Sequence, residues 1–569
     1  MAKFVTAVAG VLAFSAAAAV AQPARFEAYR GERANGWAGQ TRSEVVAEHG
    51  MVATSHPLAA DAGLDILKAG GNAFDAAVAV AAVLNLVEPG SAGIGGDVFV
   101  LAWSAKDRKL VALDGSGRAA SGASIARLSG KGLKAVPYTG IEAVVAPGAV
   151  DAWDVLLKTY GSRDFKAVLE PAAKLAEDGF GITERIGNDW AGDDRILGVD
   201  PETLRVHKPG GVAPPLYSRF RNPDLAKSFR LLQSGGRDAF YRGPIGAALL
   251  KRSAELGGSF VQADLDSVHA KWVEPLATSY AGHDIHEMPP STQGFAVLEI
   301  LKIVEQCAAG LGVDVAKAGP KSADYWHLMV EAKKLAYADL QRFNGDPEFG
   351  PVPAARLASK DHARSLCSRI DLKKAGNPAS APEPVGGTVY IATADKFGNV
   401  VSFIYSIYGE FGSGITVPGH GFVLNNRAAE FSMDPKSPNA IQPGKRPFYT
   451  IIPGFVTKAG KPVMAFGLMS GDQQAQGHAQ VLVNMLTFGA NPQAATDAAR
   501  FNHNQRTNKL ALEGELFDAI GADLKARGHD VERGNGRRMG GYQAILIDPA
   551  SGLYRGGSDH RKDGAVVGW

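Results

Sequence analysis

A threonine that directly follows two glycines can become an N-terminal residue if the chain is cut before it. It could then catalyse reactions that an internal threonine cannot. Gly386 and Gly387 precede Thr388 at the start of a run of alternating apolar residues. If the Gly387–Thr388 bond is cut, Thr388 gains a free α-amine, which titrates at about pH 8 and can accept the proton of its own hydroxyl. Glycines tolerate the strained backbone that an intramolecular attack needs. The triplet therefore predicts a cleavage site and a nucleophile at Thr388.

A second hydroxyl is predicted to lie opposite this threonine. The segment TVYIATADKFGNVVSFIYS has the pattern of two strands joined by a hairpin turn at Asp395–Asn399. Counting equally outward from Ala394 and Val400 places Ser406 opposite Thr388. Directly opposed Cβ atoms lie about 5 Å apart, so the two hydroxyls would be in contact. A cross-strand pair that only stabilises the hairpin is the alternative interpretation.

The chain that must position these residues has ordinary globular composition. It contains 569 residues, 46% hydrophobic and 21% charged, with 60 Lys and Arg against 58 Asp and Glu. This balance, without a basic block, excludes nucleic acid or an anionic membrane as the main partner. Cys307 and Cys367 are too few for a disulfide scaffold and their spacing fits no metal motif, while the sequence leaves open whether they pair.

The N-terminus has the pattern of a secretory signal peptide. Lys3 precedes an apolar, Ala-rich stretch, and Ala19–Ala21 gives an A-x-A cleavage pattern before Gln22. We therefore expect residues 1–21 to be removed, leaving a periplasmic or secreted protein without stable membrane insertion. An N-terminal anchor helix is the alternative, which the short stretch and the small-residue site disfavour.

Hydrophobic periodicity predicts an α+β chain with long antiparallel segments. The middle of the chain is mostly helical, and residues 371–387, rich in Pro, Gly, Ala and Ser, have linker composition that ends at Thr388. Before the linker we expect helices at 57–68 and 73–86 and strands at 52–54, 99–102 and 110–113. After it we expect strands at 388–394, 400–406, 420–424, 450–456, 463–467 and 542–547, with helices near 475–488 and 516–527.

Many ordered segments resemble one known family. They include GMVATSHPLAADAGLDILKAGGNAFDAAVA at 50–79, EPGSAGIGGDVFVL at 88–101, MPPSTQGFAVLEIL at 288–301, FVLNNRAAEFSMDP at 422–435 and GKRP at 444–447. The chain resembles the γ-glutamyltransferases (glutathione hydrolases) of the N-terminal-nucleophile hydrolase superfamily. The resemblance implies a four-layer αββα sandwich made as one precursor. It also implies a large subunit at 22–387 and a small subunit at 388–569, which together form one αββα unit.

The resemblance also implies roles for single residues. Thr388 would attack a small-molecule amide such as a γ-glutamyl amide, and water or an amine would then release the acyl group. Ser406 would support the nucleophile, and the backbone amides of Ser470 and Gly471 would form the oxyanion hole. No cofactor and no metal is implied.

The sequence departs from the family pattern where the substrate would bind. The family's Asp-x-Arg becomes Asp114–Ser116, so the arginine that holds the substrate's α-carboxylate is missing, and whether Arg118 replaces it is open. Arg427 introduces a charge that can meet a carboxylate bidentately, and Glu430 can hold a substrate ammonium. The candidate substrate-binding residues are Arg118, Tyr408, Arg427, Glu430, Tyr449 and Thr450.

These departures leave rival functions open. They resemble those of the glutaryl (cephalosporin) acylase-like and oxamate amidohydrolase-like relatives, and a non-catalytic exported binding protein with the same fold is a further alternative. Arg427 and Glu430 can also simply pair with each other at the surface. Gly93–Gly96 lacks the spacing of a nucleotide loop and predicts a tight turn near the site. His283 and His286 fit a surface strand better than a metal site.

Overall fold

The computed structural model describes residues 40–377, 386–534 and 536–569, so the predicted signal peptide lies outside the described residues. Most of the helices in the described residues precede the Gly387–Thr388 bond, and the last three follow it. In chain order they are α1 (Pro57–Lys68), α2 (Ala73–Val87), α3 (Ile125–Gly130), α4 (Ala149–Tyr160), α5 (Phe165–Val168), α6 (Glu170–Asp178), α7 (Glu184–Ala191), α8 (Asp194–Leu197), α9 (Pro201–His207), α10 (Pro223–Tyr241), α11 (Pro244–Glu255), α12 (Gln262–Asp266), α13 (Gly294–Cys307), α14 (Val315–Ala318), α15 (Ala323–Phe343), α16 (Ala354–Leu357), α17 (Lys360–Leu366), α18 (Gln473–Leu486), α19 (Pro492–Asp497) and α20 (Gly514–Ala526).

Strands are spread over the whole described chain. They are β1 (Val45–Ala47), β2 (Gly50–Thr54), β3 (Asp97–Ser104), β4 (Lys109–Gly115), β5 (Phe180–Gly181), β6 (Arg219–Phe220), β7 (Lys271–Val273), β8 (Leu276–Tyr280), β9 (His283–Glu287), β10 (Gly387–Asp395), β11 (Val400–Tyr408), β12 (Gly454–Lys458), β13 (Lys461–Leu468), β14 (Phe501–His503), β15 (Lys509–Leu512), β16 (Asp530–Arg533), β17 (Tyr542–Ile547), β18 (Tyr554–Ser558) and β19 (Ala565–Gly568).

Two seven-stranded antiparallel sheets form the centre of the fold. One has the strand order β19-β2-β10-β11-β3-β4-β7, and the other has the order β1-β18-β17-β13-β12-β9-β8. In the first sheet β2, β3, β4 and β7 precede the Gly387–Thr388 bond, β10 contains it at its first residue, and β11 and β19 follow it. The second sheet is mixed in the same way, with β1, β8 and β9 from before the bond. Each sheet therefore combines strands from both sides of the bond.

Side-chain alternation along the strands gives the four predicted layers. On β10, Val389 and Ile391 join the core that contains α1, α2 and α4, while Tyr390 and Ala392 join the core between the two sheets. In the second sheet, Phe455 faces this shared core and its chain neighbour Val456 faces α13, α15 and α18. Because successive strand residues point to opposite faces, each sheet is covered by helices on one side and by the other sheet on the other. The predicted αββα architecture is confirmed.

Local sequence accounts for the helix that lies under the first sheet. The side chain of Asn72 accepts from the amide of Asp75, and the Asp75 carboxylate accepts from the amide of Asn72, which is a capping box at the start of α2. Every residue of α2 is buried, as expected for an Ala- and Val-rich helix between a sheet and outer helices. The predicted helices at 57–68 and 73–86 are confirmed, the second with one further residue.

Two sequence predictions differ from the structure. Residues 420–424 are not a strand, because Gly419 and Gly421 both take a positive φ, and only a single bridge joins Thr416 to Val423. The strand expected at 450–456 begins only at Gly454, because the amide of Ile452 donates to the side chain of Gln474 and Pro453 has no amide to donate to a neighbouring strand. Across residues 40–377, 386–534 and 536–569, no helix combines the length and the apolar character that a membrane crossing requires.

Cys307 and Cys367 form a disulfide bond, which answers the question that the sequence left open. The bond connects the last residue of α13 to the residue that follows α17. It closes a loop with a sequence separation of 60. The disulfide therefore holds α17 against the helical layer that covers the second sheet.

Candidate active site

Thr388 lies near the start of β10, in the middle of the first sheet, and is 2% exposed. The predicted register is confirmed from Ala394, opposite Val400, down to Val389, opposite Tyr405. Between Val389 and Gly387 the register shifts, because Gly387 pairs with Tyr408. Thr388 therefore lies at a β-bulge, a feature that re-aims side chains next to active sites.

The bulge brings the hydroxyls of Thr388 and Ser406 to one carbonyl. Thr388 Oγ1 donates to Gly387 O at 2.6 Å, and Ser406 Oγ donates to the same oxygen at 2.8 Å. The side-chain amide of Gln474 donates to Thr388 Oγ1 at 3.3 Å. The predicted contact between the two hydroxyls is replaced by a shared acceptor, which is the carbonyl of the bond expected to break.

Glycines make room for this arrangement. A Cβ added at Gly387 would lie 3.2 Å from the Cα of Ser91 and 3.2 Å from the Glu410 carboxylate. A Cβ at Gly96 would lie 2.3 Å from the carbonyl oxygen of Ser406. Gly93–Gly96 forms a turn, closed by a bond from Gly96 N to Gly93 O, as predicted. The turn packs directly against the strand that carries Ser406.

The proposed oxyanion residues form a turn before α18. Ser470 and Gly471 both take positive φ, at 87° and 52°, which is uncommon for a serine. Among the hydrogen bonds of the described residues, neither backbone amide has an acceptor within the protein. Gln293 donates to the carbonyls of Gly471 and Thr450, which fixes this turn from the opposite side. Two free amides beside a helix N-terminus are suited to bind developing negative charge.

Arg427 is fully buried beside Ser406 and is not on the surface. Its guanidinium lies between two rings, 4.5 Å from the centroid of Tyr408 and 4.8 Å from that of Tyr449. It donates to Thr450 Oγ1 at 3.1 Å and to Ser406 Oγ at 3.3 Å. The structure thus brings together four of the residues that the sequence predicted near the substrate with the predicted catalytic serine.

The carboxylate nearest to this guanidinium is Asp97, with Asp97 Oδ2 and Arg427 Nε 4.0 Å apart and both side chains fully buried. Asp97 Oδ1 accepts from the amide of Gly117 at 2.8 Å. Burial raises the pKa of Asp97 to about 7, against the opposing effects of Arg427 and the Gly117 amide. The hydroxyl of Tyr449 also bonds to the backbone of Gly117.

Glu430 lies on the other side of Tyr408. Burial raises the pKa of Glu430 to about 7, while a hydrogen bond with the Tyr408 hydroxyl and the charge of Arg427 lower it. Tyr408 itself takes a φ of 79°, a strained conformation for a bulky residue. The ion pair between Arg427 and Glu430 considered from the sequence is not among those of the described residues, where Arg427 faces Asp97 instead.

Arg118 is turned away from this cluster. Its guanidinium donates to the carboxylate of Glu348 at 2.8 Å and to the carbonyl of Gly444 at 3.0 Å. Lys271 and Arg446 bind the same Glu348 carboxylate. In this arrangement Arg118 contributes to a surface charge network and makes no hydrogen bond to Thr388, Ser406 or Arg427.

Sequence reasoning missed Asp97, Gln293 and Gln474. Asp97 lies in the segment GIGGDVFVL and is the first residue of β3. A charged residue among apolar neighbours was the only signal in the sequence that could have indicated a role for it. Gln474 lies in the first turn of α18, and its Oε1 accepts from the amide of Ile452 at 2.9 Å. Nothing in the spacing of Gln293 relates it to the Ser470–Gly471 turn.

Two clusters away from Thr388 contain side chains of types that bind metal ions. In one, His327 Nδ1 lies 2.8 Å from His529 Nε2, and His327 Nε2 lies 2.9 Å from Asp371 O. In the other, His362 Nε2 lies 3.2 Å from Glu299 Oε1 and 2.7 Å from Asp339 Oδ2. These distances are those of direct hydrogen bonds. His283 and His286 lie on β9, as predicted, and bond to separate partners, Ala281 O and Thr457 Oγ1.

Comparisons with known proteins give a consistent result. Residues 59–569 match the family model described as Gamma-glutamyltranspeptidase. The chain is 36% identical to the Glutathione hydrolase-like YwrD proenzyme of Bacillus subtilis, over 92% of this chain and 99% of that protein. It is 34% identical to the Oxamate amidohydrolase proenzyme of Klebsiella pneumoniae, over 93% of this chain and 100% of that protein. The crystal structure of cephalosporin acylase from Bacillus halodurans superposes with a TM-score of 0.87 at 39% identity, covering 93% of this chain and 97% of that one.

Proposed function

This chain belongs to the gamma-glutamyltranspeptidase family of N-terminal-nucleophile hydrolases, and we propose that Thr388 is the nucleophile with which it cleaves first itself and then its substrate. The family and the relatives make it an amide-hydrolysing enzyme produced as a proenzyme. The observation that carries our assignment is the convergence of Thr388 Oγ1 and Ser406 Oγ on the carbonyl oxygen of Gly387.

Self-cleavage follows from this contact. Thr388 Oγ1 attacks the carbonyl carbon of Gly387, while the hydroxyl of Ser406 donates to the oxygen on which negative charge develops. The bond from Gly387 C to Thr388 N breaks, the nitrogen takes up the hydroxyl proton, and an ester joins Gly387 to Thr388. Water hydrolyses this ester, which leaves the Gly387 carboxylate and a free Thr388 with its amine and hydroxyl.

Substrate cleavage uses the same threonine with its new amine. The α-amine accepts the proton of Thr388 Oγ1 as that oxygen attacks the amide carbonyl of the substrate. The backbone amides of Ser470 and Gly471 stabilise the oxyanion, and one such donor is worth about 3 kcal/mol in other enzymes. The amine half of the substrate leaves, and water or a second amine releases the acyl group.

For the substrate we propose an amide whose acyl half carries a carboxylate, of the glutaryl or oxamate type. Arg427 supports the carboxylate, because a buried guanidinium held between two tyrosines beside Ser406 can bind one. γ-Glutamyl donors also carry a carboxylate, so the preference for the glutaryl or oxamate type rests on Ser116, which stands where the family has the arginine for the α-carboxylate. γ-Glutamyl amides such as glutathione are the second candidate. Glu430 favours them, because an acidic group near Arg427 can bind the ammonium that γ-glutamyl donors carry and glutaryl donors lack. The N-terminal sequence pattern supports our further proposal of a periplasmic or secreted location.

Denaturing gels and a substrate panel test this function. We expect wild-type protein to give two fragments of about 39 and 20 kDa, at roughly 0.11 kDa per residue, the smaller beginning at Thr388. Thr388→Ala should remain one chain without amidase activity, while Thr393→Ala, a threonine of the same strand bonded to Ala73 O, should be cut normally. Activity in uncut wild-type protein would refute the proposal. Among glutaryl, oxamate and γ-glutamyl amides, a preference for the last would reverse the order of the two candidates.

A further inference from the structure

We propose that Asp97 is a positioning residue for the cleavage of the Gly387–Thr388 bond, acting through Arg427 on the hydroxyl of Ser406. This inference rests on the proposed function, since it concerns the same self-cleavage. It adds a residue that touches neither the bond nor the nucleophile, and it gives Arg427 a role that precedes any contact with substrate.

The strand register places Asp97 next to the reaction. Asp97 begins β3 and is the direct cross-strand partner of Ser406 on β11. Its carboxylate is fully buried, and Oδ1 is held by the amide of Gly117. Its other oxygen, Oδ2, has no hydrogen-bond partner within the part of the chain that the structure describes. The one positively charged group that this carboxylate faces in an ion pair of the described residues is Arg427.

The position of the Asp97 carboxylate determines the orientation of the Arg427 guanidinium. Arg427 Nε also has no hydrogen-bond partner among the described residues, and it faces Asp97 Oδ2 at 4.0 Å. A guanidinium is rigid and planar, so a charge facing Nε determines where both terminal nitrogens point. The rings of Tyr408 and Tyr449 limit its tilt from either side. The Nη2 group then lies 3.3 Å from Ser406 Oγ.

Two donors into Ser406 Oγ decide where its proton goes. Arg427 Nη2 donates to this oxygen at 3.3 Å and the amide of Tyr408 donates to it at 2.7 Å. A hydroxyl has two acceptor lone pairs and one proton, so with both lone pairs occupied the proton points to the remaining neighbour. That neighbour is Gly387 O at 2.8 Å. Asp97 therefore acts, through Arg427, on the polarisation of the scissile carbonyl.

The charge state of Asp97 gives this role a measurable signature. Burial raises the pKa of Asp97 to about 7, so the carboxylate changes charge near neutral pH. The groups that face the pair include four tyrosines, whose pKa values burial raises well above the usual range: Tyr449, Tyr408, Tyr405 and Tyr241. Glu430 lies beyond Tyr408, and burial raises its pKa to about 7. We expect the rate of self-cleavage to rise as the pH passes upward through about 7, because only ionised Asp97 holds Arg427 in place.

Freshly synthesised full-length precursor, followed on denaturing gels from pH 5.5 to 8.5, tests the proposal. Asp97→Asn keeps the shape of the side chain and removes the charge, and we expect it to slow cleavage at pH 8 at least tenfold and to abolish the inflection near pH 7. Asp151→Asn is the matched control. It removes the carboxylate of another buried ion pair, with Arg237, and should keep the wild-type profile. An Asp97→Asn precursor that is cut at the wild-type rate would overturn the proposal.

Two further measurements protect the test against a variant that fails to fold. Glu430→Gln should retain the wild-type inflection of the self-cleavage rate near pH 7. Loss of the inflection in Glu430→Gln would contradict a role of Asp97, and so would the absence of an inflection in wild-type protein. The double variant Asp97→Asn/Arg427→Gln should be about as slow as the slower single variant, whereas multiplied effects would show that Asp97 does not act through Arg427. A wild-type chain that is never cut would instead refute the proposed function itself.

Discussion

Ser406 and Gly387 are joined across the β-bulge by a hydrogen bond of 2.8 Å, which the serine hydroxyl donates to the glycine carbonyl. The same carbonyl accepts from the hydroxyl of Thr388, the residue on the other side of the peptide bond. This arrangement supports our proposal that Thr388 attacks this carbonyl with the assistance of Ser406.

Replacement of Ser406 by alanine should slow self-cleavage by about 10²–10³-fold, because removal of one donor to a developing oxyanion has this effect in other enzymes. The half-time of the precursor band on denaturing gels measures it. Ser402→Ala is the control, since Ser402 lies on the same strand and bonds instead to Tyr390 at 2.7 Å. Equal half-times for the two variants would show that Ser406 does not assist cleavage.

Ser470→Gly should keep substrate turnover close to wild type. The φ of 87° at this position suits glycine, and the proposed oxyanion donor is the backbone amide, which glycine retains. Ser470→Val should lower kcat, because a β-branched side chain strains this conformation and moves the amide. Steady-state kinetics on mature enzyme decide the matter, and a tenfold loss in Ser470→Gly would assign the function to the serine hydroxyl.

Arg427→Gln should lower kcat/KM for acyl donors that bear a carboxylate by about 10–100-fold more than for matched neutral donors, since hydrogen bonds to charged groups contribute about 1.5–3 kcal/mol. The ratio of the two kcat/KM values removes any effect on the nucleophile itself. Arg118→Gln, which breaks the contact with Glu348, should leave this ratio unchanged. A ratio that changes in Arg118→Gln and stays the same in Arg427→Gln would indicate that Arg118 binds the substrate carboxylate.

Replacement of both Cys307 and Cys367 by serine should reduce the free energy of unfolding by about 2–4 kcal/mol, the usual contribution of a disulfide that closes a long loop. Denaturant unfolding measures this change. We expect kcat to stay the same, because the bond ties helices of the outer layer. A reductant should lower the unfolding midpoint of wild type and not of the variant, and equal responses would contradict a stabilising disulfide.

Acid should destabilise the fold through His207. Burial lowers the pKa of His207 to about 3, and neither ring nitrogen has a hydrogen-bond partner among the described residues. Between about pH 6.5 and pH 3 the unfolded chain binds a proton here and the folded one does not, so the free energy of unfolding falls as the pH falls, by up to about 1.4 kcal/mol per pH unit.

His207→Leu should reduce this pH dependence without removing it, because burial also lowers the pKa of His56, His478 and His529. Urea unfolding at pH 5 and pH 7 gives the slope for wild type and variant. The matched control is His269→Gln, at an exposed position, which should keep the wild-type slope. A slope that is the same in all three proteins would exclude His207 as a source of acid sensitivity.

The hairpin around Thr388 was predictable because it depends on local signals. Asp395–Asn399 supplies turn residues, Gly398 takes the positive φ of 89°, and the flanking residues alternate. The bulge at Thr388 was not predictable in this way. It lies where the strand that carries Ser406 packs closely against the Gly93–Gly96 turn, which is distant in sequence.

The pairing of Asp97 with Arg427 could not be predicted for the same reason. The two residues lie 330 positions apart in the sequence, and only tertiary packing places the short 3-10 helix that carries Arg427 beside the start of β3. Arg118 shows the opposite case. Its sequence position suggested a role in the site, yet a competing carboxylate, Glu348, directs its side chain elsewhere. Composition and spacing predicted the reacting groups, whereas tertiary packing decided which charges surround them.

The interleaving of strands within the first sheet has a mechanical consequence. β2 lies between β19 and β10, and the β10–β11 hairpin in turn lies between β2 and β3. If the Gly387–Thr388 bond is cut as we propose, neither polypeptide can leave without breaking backbone hydrogen bonds on both edges of an inner strand. We therefore expect the two fragments to separate only when the whole fold unfolds, and we expect no exchange of fragments between folded molecules.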